Sequence, residues 1–594
     1  MKRLQKHAVL YLALLLVCVG LLGCGPSGNL PLPTLDPSAT PLPEDFDAFC
    51  EGLFIEWNSG DSFSINYTFK NPENYGLADF EATWGAEEDE ELTEEESIAK
   101  AKAENKRLRD HLESFDYNAL SKEQQYVYDM LDYELMIDLE SLDFPYYYEP
   151  MIPGNGFAFN ALINLTNYYF ERQKDLDDYL ALCYNIEDYI DILIKYEQEK
   201  ADAGLFMSDS TLDEVLDELK RLIEKKDDHM LIEVFNERID NEVTFLSAEQ
   251  KAEYKQKNVD AVQKGLIPAY QKLIDALEAL RGKGINEGGL AGLPKGKEYA
   301  AHRIKARVNT EMTPEEMAKL LDDTLTKAQD DFFALLDNQS AINEYLDYKF
   351  NYASPEAAMQ HLVKESAADF PQLPQGTKYV IKRLDDSMSD TQISAFYFTP
   401  RVDDIENNLI YYNPGHGTDG LFDTLGHEGV PGHMLHFTRH YEKTEANLGK
   451  TLDALGCVEG WAKYVDSYCL KYERTLSEAG ANLIRTENRM GYCLQARLEI
   501  GVHYQGWDLA ACEKYFKDTG MDQLFNMSQD FYDTVVQNQI SLLPYAVGPL
   551  EVERIKEEYK QKMGDDYSEL QFHTDFINCG PAPFYLVEKQ LGLN

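Results

Sequence analysis

The sequence predicts a mainly α-helical protein with one small antiparallel β-sheet, and two patterns support this fold class. Most of the 594-residue chain carries apolar residues at three- and four-residue spacing with charged residues between them, as amphipathic helices do. Residues 378–412 differ, because they are rich in Val, Ile, Tyr and Phe and are divided by turn-forming residues. With 44% hydrophobic and 12% aromatic residues, the chain can bury a large core.

The amino terminus has the pattern of a bacterial lipoprotein signal. Lys2, Arg3 and Lys6 form a cationic start, and the apolar stretch 8–20 that follows is too short for a comfortable membrane span. Leu21-Leu22-Gly23-Cys24 then has the form of a lipoprotein cleavage box. We therefore expect cleavage before Cys24, lipid modification of that cysteine, and an exported protein anchored to the cell membrane and facing outside the cytoplasm.

Composition divides the chain into four regions. Residues 1–23 are the expected signal peptide, and the proline-rich residues 24–45 resist helix formation and favour an extended tether. Residues 46–375 form a predicted N-terminal helical region. Residues 376–594 carry the candidate catalytic residues, so we treat them as a catalytic region.

Six long amphipathic helices are predicted before the sheet. Two stretches rich in glycine and proline, 149–157 and 282–297, interrupt them as loops. The predicted helices are 94–115, 121–140, 176–201, 211–226, 248–281 and 314–336.

Three short strands are predicted next, at 378–384, 392–399 and 407–412. Asp, Ser, Pro and Asn between them favour turns, so consecutive strands are expected to pair as an antiparallel sheet. The sheet directly precedes the most informative motif of the chain.

That motif runs from His427 to His433 and reads His-Glu-Gly-Val-Pro-Gly-His. Two histidines four residues apart, with Glu after the first, form the familiar HExxH zinc motif, and this chain departs from it by two residues. On an unbroken helix, residues i and i+6 are about 240° apart around the axis and about 9 Å apart along it. We therefore expect Pro431 and Gly432 to break the helix, so that both imidazoles can reach one ion.

The net charge disfavours one class of partner. The formal charge of −50 disfavours nucleic-acid binding, because neutralising phosphates requires a basic surface. The surface would attract basic peptides, but the same charge also serves solubility outside the cell.

The motif is followed by a second segment, Glu459-Gly460-Trp461-Ala462, and then by Pro544-Tyr545-Ala546-Val547-Gly548. In this order they resemble the bacterial domain-of-unknown-function family 885, a set of zincin-like proteins related to metallopeptidases. The resemblance implies a large helical zincin-like (gluzincin-type) body, with the sheet beside the metal-binding helix. It also implies that an edge strand of the sheet pairs with an extended peptide substrate.

The resemblance places one Zn²⁺ per chain on His427, His433 and Glu459. The residues agree with this, since zinc hydrolases commonly use two histidines and a carboxylate and leave one position open. Glu459 falls on a predicted second helix, 452–472, that could face the first. Glu428 is the expected general base, which takes a proton from the attacking water and passes it to the leaving amine.

Other residues are candidates for supporting roles. Peptide hydrolysis needs a donor for the developing oxyanion, and Tyr545 and His503 lie in segments that resemble the family. Asp466 lies two helical turns after Glu459 and could orient a ligand histidine. Arg497 and His573 match the family pattern as well, and a structural role suits them better.

Two alternatives stay open at this point. His436 and His440 have ideal i, i+4 spacing, so geometry alone would accept them as ligands, although neither is followed by Glu.

The predicted function is a zinc-dependent peptidase acting on short peptides outside the cytoplasm. The alternatives are a lipid-anchored peptide- or glycan-binding protein without catalysis, and a zinc amidase acting on peptidoglycan stem peptides.

Overall fold

The computed structural model describes residues 41–85, 93–384, 394–416 and 420–593. Helices make up most of these ranges, which confirms the mainly α prediction. The predicted signal peptide, the lipidation residue Cys24 and nearly all of the tether lie outside the described residues. No helix within the described ranges is both long and apolar enough to cross a membrane.

Fourteen helices precede the sheet in the described part of the chain. They are α1 Phe46–Trp57, α2 Ser62–Thr68, α3 Glu94–Leu112, α4 Lys122–Ser141, α5 Phe157–Asn167, α6 Gln173–Asp202, α7 Asp209–Glu224, α8 Met230–Asn241, α9 Ala248–Ala261, α10 Ile267–Ala279, α11 Gly296–Val308, α12 Pro314–Leu335, α13 Gln339–Leu346 and α14 Pro355–Ser366. All six predicted long helices are present, and the predicted helix 248–281 is divided by a π-helical turn at Val262–Leu266.

Ten helices follow the sheet in the described residues. They are α15 Leu421–Glu428, α16 His433–Lys443, α17 Asn447–Thr451, α18 Leu455–Cys469, α19 Glu478–Glu499, α20 Leu509–Asp518, α21 Ser528–Gln537, α22 Leu543–Met563, α23 Glu569–Asn578 and α24 Phe584–Leu591. A π-helical turn, Ile500–Tyr504, extends α19.

Side-chain caps explain where several of these helices begin. The side chains of Thr93 and Thr313 each accept a hydrogen bond from the backbone N–H three residues later. The side chains of Glu96 and Glu316 in turn accept a hydrogen bond from the backbone N–H of the capping threonine. This reciprocal capping box satisfies backbone donors that have no partner inside the helix. The starts of α3 and α12 are therefore encoded locally.

The sheet differs from the prediction. Its strands are β1 Lys378–Arg383, β2 Ala395–Phe398 and β3 Asn407–Tyr412, in the order β1-β3-β2. β3 is central and pairs parallel with β1 and antiparallel with β2. The antiparallel prediction holds for β2 and β3 and is wrong for β1, because the neighbour of β1 is β3, which runs parallel to it, and not β2.

The buried core falls into three large clusters. One cluster lies within residues 63–277, mostly on α5 to α10, and forms a lobe of its own. The other two join distant parts of the chain: Leu131 packs in the same cluster as Trp461, and Leu321 in the same cluster as Leu498. The predicted division at residue 375 therefore passes through shared cores.

Candidate metal centre

The helix breaks between the two motif histidines, as the spacing requires. Helix α15 ends at Glu428 and α16 begins at His433, with Gly429 and Gly432 in non-helical conformations between them. A Cβ atom built on Gly432 would lie 1.8 Å from the carbonyl oxygen of His427, so only glycine fits this close approach. The break turns two histidines six residues apart into neighbours.

Trp461 fixes the conformation of this break. Its indole Nε1 donates a hydrogen bond of 3.0 Å to the carbonyl oxygen of Pro431, and the ring is fully buried. The Gly432 N–H donates to the carbonyl of Gly426 at 2.9 Å. Trp461, from the segment 459–462, therefore supports the turn between His427 and His433.

Glycines bring the third candidate ligand into place. A Cβ atom on Gly460 of α18 would lie 2.6 Å from the carbonyl carbon of Gly548 on α22, so these helices meet backbone to backbone. Glu459 is adjacent to this contact, and Tyr545 lies one turn before Gly548 on α22. The close contact between Gly460 and Gly548 thus places the Glu459 carboxylate and the Tyr545 phenol near the histidine motif.

The three candidate ligands converge. Glu459 Oε2 lies 3.5 Å from His427 Nε2 and 3.7 Å from His433 Nε2. One ligand atom from each residue falls within 4.8 Å of the other two, and all three side chains are buried. This spacing suits donors arranged around one small ion.

Two tests support a cation at this position. Glu459 is 1% exposed, and its Oε2 atom makes no hydrogen bond with any described residue, which is costly for a buried carboxylate oxygen. Two imidazoles and a carboxylate are also a donor set that zinc commonly takes in catalytic sites. The residues therefore fit Zn²⁺.

Asp466 completes the arrangement behind His427. Its Oδ2 atom lies 3.6 Å from His427 Nδ1, the ring nitrogen opposite the one that faces Glu459. Lys463 forms an ion pair with Asp466 and is itself seated over the Tyr492 ring. A carboxylate in this position orients the imidazole and raises its basicity, which supports the predicted orienting role.

The pKa values show a site that favours positive charge. Burial alone would lower the pKa of His427, but Asp466, Glu459 and Glu428 outweigh it and raise the pKa to about 10. Burial lowers the pKa of His433 to about 3. For Glu459, burial would raise the pKa, yet His427 and His433 hold it below its ordinary value. The carboxylates therefore stabilise either a proton or a cation among the three side chains.

Glu428 lies where the predicted base should be. It is buried, and its Oε1 atom lies 4.0 Å from His427 Nε2, on the metal-facing side of that ring. Tyr545 is half-buried beside Glu459 and helps to hold the pKa of that carboxyl down. Both side chains thus lie at the centre, and their catalytic roles remain predictions.

His503 lies in a structural position instead. Its Nδ1 atom accepts a hydrogen bond from the Leu290 N–H at 3.1 Å, and its Nε2–H donates to the Val535 carbonyl at 2.7 Å. Both ring nitrogens are thereby committed to the main chain. No N–H remains for a developing oxyanion, so we do not include His503 in the proposed site.

The other candidates from the sequence also have structural contacts. His440 hydrogen-bonds the Gly449 carbonyl, and His573 lies between the Asp369 carbonyl and the Tyr464 hydroxyl. Arg497 pairs with Asp322. His436 is fully buried against Trp461 and is not part of the converging cluster. None of these four residues belongs to the converging cluster of His427, His433 and Glu459.

Two functional candidates escaped the sequence analysis. Arg303 and Arg307 of α11 line a cavity of about 810 Å³ that also reaches Phe437 of α16, one turn after His433. Arginines four residues apart are common on exposed helices, so the sequence held no signal that these two face inward. Only the packing of α11 reveals them.

The geometry brings together a buried His/His/Glu cluster that could hold a metal ion, with the Glu428 carboxylate beside it. The family comparison agrees with the sequence motifs, because residues 79–591 match the family described as "Bacterial protein of unknown function (DUF885)". The chain belongs to this family. No curated protein matches it.

Two solved structures share the fold. One, from Colwellia psychrerythraea, superposes with a TM-score of 0.78 at 17% identity and covers 93% of this chain and 99% of its own. The other, from Shewanella oneidensis, has a TM-score of 0.60 at 16% identity and covers 93% and 100%. Both are described as a "putative lipoprotein", the second "of unknown function". At these identities the likeness concerns the fold.

Proposed function

We propose that this protein is a zinc-dependent peptidase that hydrolyses short peptides outside the cytoplasm. The observation that carries the proposal is the buried convergence of His427, His433 and Glu459, with Glu428 directly beside them. When bound there, Zn²⁺ would supply a Lewis acid that polarises a carbonyl. A purely structural zinc site fills all four positions and has no use for Glu428, which disfavours the binding-protein alternative.

The protein side chains would divide the proton transfers between them. Glu428 accepts a proton from the attacking water at its carboxylate and returns it to the nitrogen of the leaving amine. Tyr545, whose phenol lies beside Glu459, donates a hydrogen bond to the oxyanion that develops on the carbonyl. Asp466 holds the His427 ring in place throughout.

The sheet offers a place for the substrate backbone. β2 is an edge strand in contact with α15, and Thr399 and Pro400, which follow it, line the cavity. An edge strand can pair with an extended peptide through main-chain hydrogen bonds. A peptide laid along β2 would therefore run from the sheet into the cavity.

The proposed location follows from the sequence. Cys24 and the tether after it would anchor the chain by a lipid, so the substrates would be peptides outside the cytoplasm. The charge of −50 disfavours nucleic acid as a partner.

A peptide library with a matched pair of variants tests the proposal. We expect the zinc-loaded protein to release new peptide ends, detected by mass spectrometry, and Glu428→Gln to lower the rate at least about 100-fold while zinc stays bound. Glu442→Gln, which changes an exposed carboxylate on α16, is the control and should leave the rate unchanged. A Glu428→Gln protein with near-full activity would remove Glu428 from the mechanism. If only peptidoglycan stem peptides are cleaved, the amidase alternative is correct.

A further inference from the structure

Two arginines line the cavity that also reaches Phe437, one turn after His433 on α16. Arg303 and Arg307 are one helical turn apart on α11, so they lie on the same face of the helix, as does Tyr299 one turn earlier. All three line the cavity of about 810 Å³. Two guanidinium groups therefore face one space.

The end of α11 is fixed against α18, the helix that carries Glu459. The Asn309 side-chain oxygen accepts a hydrogen bond of 2.7 Å from the Gly456 N–H, and a Cβ atom on Gly456 would lie 1.9 Å from the Val308 carbonyl oxygen. Gly456 is one turn before Glu459 on α18. Arg307, next to Val308, is consequently held close to the metal centre, and its charge acts on both Glu459 and Tyr545.

Neither arginine has a carboxylate partner among the residues that the structure describes. The Nε atoms of Arg303 and Arg307 are buried and make no hydrogen bond there. Acidic residues outnumber Lys and Arg by 105 to 55 in this chain, and the buried Arg401, for comparison, is ion-paired with Glu171. Both side chains are half-buried, and a partly desolvated guanidinium without a counter-ion is unfavourable, so this pair is suited to an anion that comes with a ligand.

The acidic side chains on the cavity wall do not supply that anion. Asp61 accepts hydrogen bonds from the first turn of α2, and Glu149 is ion-paired with the buried Lys200. The third, Asp453, also lines the cavity but forms no ion pair with either arginine in the described part of the chain. The remaining wall is rich in tyrosine and asparagine, which suits a peptide.

We infer that Arg303 and Arg307 bind the C-terminal carboxylate of the peptide substrate, so that the protein removes residues from the C-terminal end. The inference rests on the proposed peptidase function, whose substrate class it specifies. Water adds to the scissile carbonyl carbon, the C–N bond breaks, and the amine leaves with a proton. The products are a shortened peptide with a new carboxylate and a small C-terminal fragment.

Matched peptides with a free C-terminal acid or a C-terminal amide test the inference. We expect the amide to lower kcat/KM about 100-fold, because charged hydrogen bonds to the terminus are lost. Arg303→Gln and Arg307→Gln should each lower cleavage of the acid about 10- to 100-fold and shrink the acid-to-amide ratio. Lys305→Gln, on the same helix but paired with Glu140, is the control and should change neither.

Binding gives a second measurement that needs no turnover. Calorimetry with zinc-loaded Glu428→Gln protein should show tighter binding of the acid than of the amide, and Arg307→Gln in that background should remove the difference. Thermal unfolding of each variant shows that it is folded. Equal cleavage and equal binding of acid and amide would overturn the inference while leaving the peptidase proposal intact.

Two further results separate the proposals. Preferential binding of the acid without hydrolysis of any peptide would overturn the peptidase proposal and support the carboxylate site. Equal cleavage of a peptide with a free C-terminal acid and of an amidated peptide with an internal Glu would show that the arginines bind an acidic side chain. That result would contradict the inference.

Discussion

Replacing Asp466 with Asn tests whether the carboxylate behind His427 sets the affinity of the metal centre. The amide has nearly the same size but no charge, and it takes the place of an oxygen 3.6 Å from His427 Nδ1. Loss of such a carboxylate typically lowers metal affinity about 10- to 100-fold. This range corresponds to about 1.4–2.7 kcal/mol of binding free energy.

A zinc competition titration with a chelating indicator measures the effect. We expect the zinc Kd of Asp466→Asn to rise about 10- to 100-fold. Asp518→Asn, which changes an exposed carboxylate on α20, is the matched control. Lys463 loses its ion-pair partner in the first variant, so thermal unfolding of both metal-free proteins must show that they are folded. An unchanged Kd in folded Asp466→Asn would refute the reasoning.

Two further predictions concern the turn and the anchor. Trp461→Phe leaves the buried Pro431 carbonyl without its donor, so the free energy of unfolding should fall by about 1–3 kcal/mol in a urea titration; an unchanged value would show that the hydrogen bond does not support the turn. Cys24→Ser should move the full-length protein from the membrane fraction to the soluble fraction, and unchanged partitioning would exclude the lipid anchor.

Local signals explain what could be predicted from the sequence. Helices α3 and α12 begin at capping boxes, Thr93 with Glu96 and Thr313 with Glu316, and their apolar stripes repeat with the helical period. The break between the two motif histidines was predictable for a similar reason. Pro431 and Gly432 predict a break in the helix, and this break brings His427 and His433 together.

Long-range packing explains what the sequence did not reveal. The direction of β1 relative to β3 depends on which strands become neighbours, and turn residues between consecutive strands do not encode that order. His503 matched a family pattern, yet its ring serves the main chain of Leu290 and Val535.

The inward arginines are a second case of this kind. Arg303 and Arg307 face the cavity because the end of α11 docks on Gly456, some 150 residues later in the chain. Spacing along α11 gives no sign of that contact. The contact between α11 and α18 is known only from the three-dimensional structure.

The central claim is that His427, His433 and Glu459 hold one zinc ion, and zinc content measures it most directly. The purified chain without residues 1–24 should contain about one zinc per molecule by elemental mass spectrometry. His433→Ala should lose the metal, whereas His111→Ala, which removes a half-buried histidine of α3 outside the cluster, should keep it. Metal-free wild-type protein after incubation with zinc, or folded His433→Ala that retains a full zinc equivalent, would contradict the account.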